Sequence, residues 1–249
     1  MTKSEALAWL KQQGSQRNVD GLARYGIVAK RAFGVPMGAL LSLSKKLGRD
    51  QALSLALWDS GWYEARLLAA LVGDPQQVTR RQMNAWAASF ENWGDCDTVC
   101  FKLFDQSPFA WECAPKWCAS PKVFVKRGGF ALMACLALHD KSAPDKHFLT
   151  FLPLIEKGAC DERNFVKKGV SWAIRAIGQR SLVLNDASLA AAKRLGASSD
   201  ATCQWVGNEA RRQLASPKLR SKLTRRVHEN QKKRTDPPPN PLIKRNLFP

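Results

Sequence analysis

The apolar residues of this chain recur at the spacing of amphipathic helices, and little of the sequence alternates as a half-buried strand does. The breaks between the apolar stretches carry Gly, Asp, Ser and Pro, which are typical of helix ends and turns. The clearest helical stretches cover residues 39–60, 61–73, 123–139, 165–178 and 189–196. The pattern therefore predicts an all-α protein.

Three of the breaks resemble one another and are evenly spaced. Each places an acid or a Ser-Pro pair before an aromatic residue and a valine, and the aromatics are Phe124, Phe165 and Trp205. Their separations of 41 and 40 residues match a two-helix HEAT-type unit, in which neighbouring pairs bury their apolar faces against each other. The period favours a HEAT-like α-α superhelix, and ordinary helices with a chance spacing are the alternative on this observation alone.

The composition changes after Pro217. From there to the end the chain contains ten Lys or Arg against two acids, and it includes the segment PPPNP. Because this part has few apolar residues to bury, we predict one folded unit, residues 1–217, and a basic tail, residues 218–249, largely disordered after about residue 229. The tail either follows a phosphate backbone or keeps the protein in solution.

The whole chain is strongly basic, with 39 Lys and Arg against 21 Asp and Glu and a formal charge of +18. This charge indicates a polyanionic partner, with nucleic acid favoured over an anionic membrane. The sequence begins without a signal-peptide pattern and has no apolar run of about 18 residues, so we expect a soluble cytoplasmic protein with no membrane partner. We also expect a monomer.

The seven cysteines, an odd number, are scattered along the chain and favour reduced thiols over a disulfide framework. Cys96, Cys100, Cys113 and Cys118 lack the paired spacing of a zinc site, so we interpret them as small buried thiols and expect no metal. The three histidines fit no nucleophile pattern, and there is no phosphate-binding loop or dinucleotide fingerprint. A triad enzyme and a nucleotide-dependent enzyme are therefore disfavoured.

An acidic cluster with a tryptophan, ENWGDCDTVC at residues 91–100, stands out in this basic chain. It contains Glu91, Asp95 and Asp97, and Trp93 precedes Asp97 by four positions. The cluster comes at the start of a predicted helix, DTVCFKLF, where carboxylates commonly cap free backbone N–H groups. On the residues alone, capping is favoured over a catalytic role for these acids.

Several motifs occur in a set order across roughly residues 20–215. They are W-x-x-x-D at Trp93 and Asp97, VKRGGFALM around Arg127, KKGVSWAIR around Trp172 and, upstream, ARYGIVAKRAFGVP and LWDSGWYEARLLAA. Together they resemble the bacterial DNA alkylation repair glycosylases of the AlkD family, which are built from HEAT-like repeats. The resemblance implies a curved helical solenoid with a concave basic face, in a cytoplasmic protein that joins the nucleoid when it binds DNA.

The resemblance also implies a set of site residues on the concave face. Asp97, Trp93 and Trp172 match the family's residues at the damaged nucleotide and are the expected catalytic groups. Arg127 matches a position that contacts the DNA backbone, and Tyr25 resembles an N-terminal DNA-contacting tyrosine. Further DNA contacts are expected from nearby cations, namely Lys126, Lys167, Lys168 and Arg175.

The activity that the resemblance implies is hydrolysis of the N-glycosidic bond of N3- or N7-alkylated purines in duplex DNA, which leaves an abasic site. Because such a purine is cationic, the enzyme needs mainly to stabilise positive charge on the sugar, with the Asp97 carboxylate and the indole faces of Trp93 and Trp172. The family is described as acting without flipping the base into a pocket. Release of 3-methyladenine or 7-methylguanine is expected, with no cofactor.

Two questions stay open from the residues. The alternative function is a non-catalytic HEAT-repeat scaffold that binds nucleic acid or protein along its concave surface. Gly128 and Gly129 follow Arg127 within a predicted helix, where glycine is unfavourable, and either close helix packing or close approach of DNA explains them.

Overall fold

The computed structural model describes residues 1–235, and all regular structure in this range is helical. The prediction of an all-α protein is confirmed. The α-helices are α1 Lys3–Gln13, α2 Gln16–Leu22, α3 Met37–Leu47, α4 Gln51–Trp58, α5 Tyr63–Val72, α6 Arg80–Ala88, α7 Trp93–Lys102, α8 Ala110–Cys118, α9 Val123–His139, α10 Asp145–Leu149, α11 Leu152–Gly158, α12 Asn164–Gly178, α13 Leu182–Gly196, α14 Ala201–Leu214 and α15 Pro217–Thr235. Two 3-10 turns are Ala23–Tyr25 and Phe104–Gln106.

The predicted helical stretch at residues 39–60 is divided into two helices. Gly48 ends α3 with a φ of 69°, a backbone conformation that favours glycine. Asp50 then starts α4, where its carboxylate accepts a hydrogen bond from the Leu53 N–H at 2.8 Å. Similar side-chain caps start α2, α6, α13 and α14, at Ser15, Thr79, Ser181 and Asp200.

Helices α9, α12 and α14 lie side by side with their starts adjacent. The Phe124 and Phe165 rings are 5.4 Å apart, and the Lys167 ammonium lies 5.2 Å from the centre of the Trp205 ring. Phe124 and Phe165 are each the second residue of their helix and Trp205 is the fifth residue of α14, so the three periodic aromatics lie within the first two turns of neighbouring helices. This arrangement confirms the two-helix repeat, because α8 packs along α9 and α13 packs along α14.

The helices form two layers around a continuous apolar core. The inner layer runs α5, α7, α9, α12 and α14, and each helix packs on the next. The outer layer includes α4, α8, α11 and α13. Leu68, Phe104, Phe130 and Ile174 are fully buried between the layers. The inner helices consequently present one shared outward face, on which residues distant in sequence can meet.

Close helix packing explains one glycine of the pair in α9. A Cβ atom at Gly129 would lie 2.7 Å from the Cys118 nitrogen and 2.8 Å from the Ala114 oxygen, both in the backbone of α8. A Cβ atom at Gly128 would meet only side chains, with the Phe90 ring 3.2 Å away. The question left open by the sequence is therefore decided for Gly129, where α8 approaches α9 too closely for any side chain.

The basic segment after Pro217 begins as a helix that packs on the repeats. In α15, Leu223 is 1% exposed, and Leu219 packs against the core. Helix α15 continues to Thr235, and the predicted disorder after about residue 229 stays a prediction. Two leucines four positions apart are enough to hold one face of this helix against α13. The rest of the predicted tail, residues 236–249, lies outside the described residues.

One pair of cysteines is bonded, contrary to the prediction that all seven are reduced. Cys160 follows α11, Cys203 lies in the first turn of α14, and the two form a disulfide across 43 residues. The sequence spacing did not reveal this pair, because the cysteines meet only when consecutive repeats stack. The interpretation of the four other cysteines named above as buried thiols is confirmed; the free and buried set is Cys96, Cys100, Cys113, Cys118 and Cys135.

Within residues 1–235, no helix combines the length and the apolar character that crossing a bilayer requires.

Candidate functional site

A cleft of about 340 Å³ opens where α7, α9, α12 and α14 meet, and we name it the Asp97 cleft. Five of its residues, one on α7, one on α9 and three on α12, are among the predicted site residues. The inner helices therefore bring together side chains that the sequence separates. The cleft is lined by Asp97, Arg127, Lys168, Ser171, Trp172, Arg175, Trp205 and Glu209.

Asp97 and Arg127 form a two-pronged ion pair in this cleft. The Arg127 Nε and Nη2 groups donate to the two Asp97 carboxylate oxygens at 2.8 and 2.7 Å. The Nη1 group donates to the Phe165 carbonyl at 2.7 Å, and Arg127 as a whole is 7% exposed. Arg127 thus orients the carboxylate and joins α9 to α7 and α12. Its contact with a DNA backbone stays a prediction, because its donors are bound within the protein here.

Asp97 and Arg127 are largely buried, and burial disfavours the charged form of each side chain. Burial raises the pKa of the Asp97 carboxyl, while the hydrogen bonds and the charge of Arg127 act to lower it. Burial acts to lower the pKa of Arg127, but the hydrogen bonds to Asp97 raise that pKa above its ordinary value. A carboxylate accepts about four hydrogen bonds, so the two from Arg127 leave acceptor capacity on Asp97.

Lys168, Trp172 and Arg175 share one face of α12 because they are spaced by four and three positions. Arg175 is held in place, since its Nε donates to the Ser171 carbonyl at 2.9 Å and its Nη1 to Gln213 at 3.2 Å. Lys168 is exposed, and no carboxylate among residues 1–229 lies within ion-pair distance of it. This face of α12 therefore offers the cleft one half-buried indole and one free cation.

Trp93, the first residue of α7, contacts Tyr25, and neither residue lines the Asp97 cleft. The Trp93 Nε1 donates to the Tyr25 carbonyl at 2.8 Å, and the Tyr25 side chain projects outward, 71% exposed. The next residue, Gly26, has a φ of 67° and lies against the Phe165 ring. The N-terminal segment thus crosses the starts of α7 and α12. Trp93 is one turn before Asp97 on the same face of α7.

The predicted start of the helix that carries Asp97 is wrong. Helix α7 begins four residues earlier, at Trp93, where Asn92 and Asp95 cap it reciprocally: the Asn92 side chain accepts from the Asp95 N–H at 3.1 Å, and the Asp95 carboxylate accepts from the Asn92 N–H at 3.2 Å. Asp97 lies inside the helix and caps nothing. Capping is confirmed for Asp95, whereas Glu91 lies 3.7 Å from two cations.

Lys126 and Lys167 lie near the starts of α9 and α12, outside the cleft. The Lys126 ammonium donates to the Asp161 carboxylate at 2.8 Å. Hydrogen bonds from Arg163 and Lys126 hold the pKa of Asp161 well below its ordinary value, so this ion pair is stable. Lys167 covers the Trp205 ring, which does line the cleft. Of these two cations, Lys167 is the one next to the site.

The family model for DNA alkylation repair enzymes matches residues 6–213 of the chain. The chain belongs to this family. A solved structure described as "a new family of proteins related to the HEAT-like repeat DNA glycosylases with affinity for branched DNA structures" aligns with a TM-score of 0.71 and 19% identity, over 86% of this chain and 96% of that one. This likeness confirms the HEAT-like repeat fold. No curated protein sequence matches.

Three cleft residues of this DNA alkylation repair family member were not predicted. Trp205 carried a signal, because the 40-residue period placed it at the start of a repeat. Glu209, one turn later on α14, is an acid on a basic face, and it lies 4.0 Å from Arg175. Ser171 is 1% exposed, and its hydroxyl has no hydrogen-bond partner among the described residues. Nothing in the sequence distinguishes Ser171 from other helix serines.

One group of potential metal ligands occurs in the described part of this DNA alkylation repair family chain, and it lies away from the Asp97 cleft. It consists of Cys160, Asp200 and Cys203. The two cysteines are joined as a disulfide, and Asp200 accepts a hydrogen bond from the Cys203 N–H at 2.8 Å. Because a metal requires thiolates, these residues serve to fix the start of α14.

Proposed function

We propose that the protein is a DNA glycosylase that hydrolyses the N-glycosidic bond of cationic N3- or N7-alkylated purines in duplex DNA and leaves an abasic site. The observation that carries the proposal is the Asp97 cleft, in which a carboxylate and the Trp172 indole lie among cations. A groove built only to hold a polyanion gains nothing from a carboxylate, which repels phosphate. A carboxylate is useful where the bound group is positive.

The chemistry follows from the charge of the substrate. Alkylation at N3 or N7 makes the purine cationic, so the base leaves without being protonated and positive charge develops on the deoxyribose. The Asp97 carboxylate stabilises that charge and orients a water molecule for attack at the anomeric carbon. The π face of Trp172 adds a favourable interaction with the cationic sugar. Trp93 lies outside the cleft, one turn before Asp97 on α7, and we propose it as a second indole beside the bound nucleotide.

The cations of the cleft suit the phosphates that flank such a nucleotide. Lys168 is exposed and has no ion-pair partner among residues 1–229, and Arg175 projects from the same face of α12. Because neutralised phosphates release counterions, DNA binding by this face weakens as salt rises. We propose that the cations of the cleft bind the unmodified duplex that flanks the alkylated nucleotide. We also propose that the protein acts as a monomer in the cytoplasm, and that the reaction uses no metal or organic cofactor.

A specific observation favours a second candidate, a groove that binds nucleic acid without catalysis. Both Asp97 oxygens accept hydrogen bonds from Arg127, which neutralises part of the charge that catalysis requires. The related structure named above is described as belonging to proteins with affinity for branched DNA structures. In this second function, Asp97 serves to hold Arg127 and to shape the groove.

The two functions are separated by assaying the release of 3-methyladenine and 7-methylguanine from methylated duplex DNA. We expect the intact protein to release at least one of these bases. We expect Asp97→Asn to lower the single-turnover rate by about 100-fold or more, since an electrostatic group at the reacting sugar is lost, while binding to the same duplex persists. The matched control is Glu209→Gln, which removes another carboxylate from the same cleft and should change the rate less than about 10-fold.

Each outcome of this assay has a distinct meaning. Undiminished release by Asp97→Asn refutes the proposed mechanism. An absence of release by the intact protein, together with salt-sensitive DNA binding, supports the non-catalytic groove. Equal losses in Asp97→Asn and Glu209→Gln show a general effect of cleft charge and refute a special role for Asp97.

A further inference from the structure

Helix α15 is basic and lies outside the part of the chain that the family model matches. The match ends at residue 213, and α15 begins at Pro217. Leu219 and Leu223 hold the helix against the repeats, which leaves its charged positions on the surface. Helix α15 therefore extends the matched part of the chain and has a defined position against the repeats. Its cations do not line the Asp97 cleft, so that site does not explain their role.

A second cleft, of about 630 Å³, lies between α15 and the ends of α9 and α12, and we name it the α15 cleft. Four cations and two carboxylates contribute to its lining. The positive charge therefore exceeds the negative charge around this space. The charged lining residues are Lys141, Arg180, Lys222, Arg226, Asp145 and Glu229.

Two of the four cations are held by the protein. Arg180 donates to two backbone carbonyls, at 3.3 and 2.6 Å, and lies 3.7 Å from Asp145. Lys141 donates to the backbone near the end of α9. Burial lowers the pKa of Lys141, and the charges of Arg180 and Arg226 lower it further, which shows how closely these cations are gathered.

The two α15 cations that line this cleft have no ion-pair partner among residues 1–229. Lys222 and Arg226 are one helical turn apart, both are exposed, and neither forms an ion pair with any residue in the range 1–229. By contrast, Arg220 of the same helix pairs with Asp186 at 2.6 Å. Free cations facing a cleft that already holds two more are suited to bind an anion.

Residues on one face of α12 and one face of α9 link the two clefts. Trp172, Arg175 and Gln179 follow one face of α12; the first two line the Asp97 cleft and the third lines the α15 cleft. On α9, Arg127 and Leu138 share a face and line the two clefts in the same order. At about 1.5 Å per residue, the stretch of α12 from Trp172 to Gln179 spans about 10 Å.

We propose that Lys222 and Arg226 form a second phosphate-binding site, which holds the sugar–phosphate backbone of duplex DNA across one groove from the nucleotide in the Asp97 cleft. The stretches of α12 and α9 that join the two clefts span about 10 and about 16 Å, which is of the same order as the B-DNA groove widths of about 6 and about 12 Å. Lys141 and Arg180 supply the remaining positive potential. The site rests on the proposed function only in that DNA occupies the Asp97 cleft.

The test compares two adjacent arginines that lie on different faces of α15, about 100° apart around the helix axis. Arg226 lines the α15 cleft, whereas Arg225 lies on the side of the helix that carries Pro217, Thr224 and His228. Binding of the full chain to an unmodified, fluorescein-labelled duplex of about 20 base pairs is measured by anisotropy from about 50 to about 250 mM KCl. The variants are Arg226→Gln, Arg225→Gln and the double variant Lys222→Gln/Arg226→Gln, and thermal melting of each confirms folding.

Each phosphate contact contributes about 0.9 to the slope of log K against log salt. We expect Arg226→Gln to reduce the slope by about 0.9, the double variant to reduce it by about 1.8, and Arg225→Gln to change it by less than about 0.3. Equal changes in Arg225→Gln and Arg226→Gln, or no change in the double variant, would overturn the proposed site.

The binding measurement does not depend on base release, so the two proposals fail separately. If the intact protein releases no methylated base but the adjacent arginines differ as expected, the glycosylase proposal fails and the second phosphate site stands. If base release is normal and the arginine variants bind alike, the second site fails and the glycosylase proposal stands.

Discussion

The ion pair between Asp97 and Arg127 makes a quantitative prediction about stability. Its two hydrogen bonds are 2.8 and 2.7 Å long, and the side chains are 20% and 9% exposed. Removing one partner of a buried pair costs about 3–5 kcal/mol, because the other charge is left uncompensated. Since Asp97 is partly exposed and asparagine still accepts one hydrogen bond, we expect Asp97→Asn to lower the free energy of unfolding by about 2–4 kcal/mol.

The charge left behind differs between the two single variants. In Asp97→Asn the Arg127 guanidinium keeps its charge at every accessible pH. In Arg127→Met the Asp97 carboxyl can take up a proton, because burial raises its pKa and the opposing cation is gone. A raised folded-state pKa stabilises the protein at low pH, and this contribution is lost as pH rises through that pKa. Arg127→Met should therefore be less destabilising at pH near 5 than at pH near 8.

The assay is urea unfolding of wild type, both single variants and the double variant, followed by tryptophan fluorescence and far-ultraviolet circular dichroism. We expect the double variant to be less destabilised than the sum of the singles by at least about 2 kcal/mol. Additivity of the two single effects to within about 0.5 kcal/mol would show that the pair does not form in solution. Loss of base release by Asp97→Asn is interpretable only at temperatures where this variant remains folded.

Three further predictions concern other parts of the fold. Gly129→Ala should lower the free energy of unfolding by about 3 kcal/mol because its Cβ atom would meet the α8 backbone, while Gly128→Ala should cost less than about 1 kcal/mol; equal urea midpoints would contradict this packing. Burial raises the pKa of Asp95 to about 6, so the stability of wild type relative to Asp95→Asn should fall by about 2 kcal/mol as pH rises from about 4 to about 6, and a constant difference across this window would refute the shift. Thiol titration of the denatured, unreduced protein should find five free thiols, and loss of the Cys160–Cys203 bond should lower the free energy of unfolding by up to about 4 kcal/mol; seven free thiols would contradict the disulfide.

The helical class and the repeats could be predicted from the sequence because both are local patterns. Apolar spacing within a few positions determines which face of a helix is buried, and the aromatic residues Phe124, Phe165 and Trp205 recur because each lies in the first two turns of an inner-layer helix. The three aromatics indeed lie near the starts of neighbouring helices. The break at Gly48 was missed because apolar residues continue close on both sides of a short turn.

The residues of the site could be predicted, but the distances between them could not. Resemblance placed Asp97, Arg127 and Trp172 in the site, and the fold does bring them to one cleft. It did not show that Arg127 binds Asp97 with two hydrogen bonds, because the distance between them depends on how α7 and α9 are aligned along their axes. Glu209 was missed for the same reason, since its nearness to Arg175 requires that α14 lie beside α12.

The amino-acid sequence by itself determined that this protein is a basic helical repeat with an acid and two indoles near its middle. Such properties depend on residue type and on spacings of a few positions, because residues three or four positions apart lie on one face of a helix. The tertiary structure alone decided that Asp97 pairs with Arg127, that Cys160 is bonded to Cys203 and that α15 lines a second cleft. These contacts join residues 30 or more positions apart, and only the stacking of one helix pair on the next determines which of them occur.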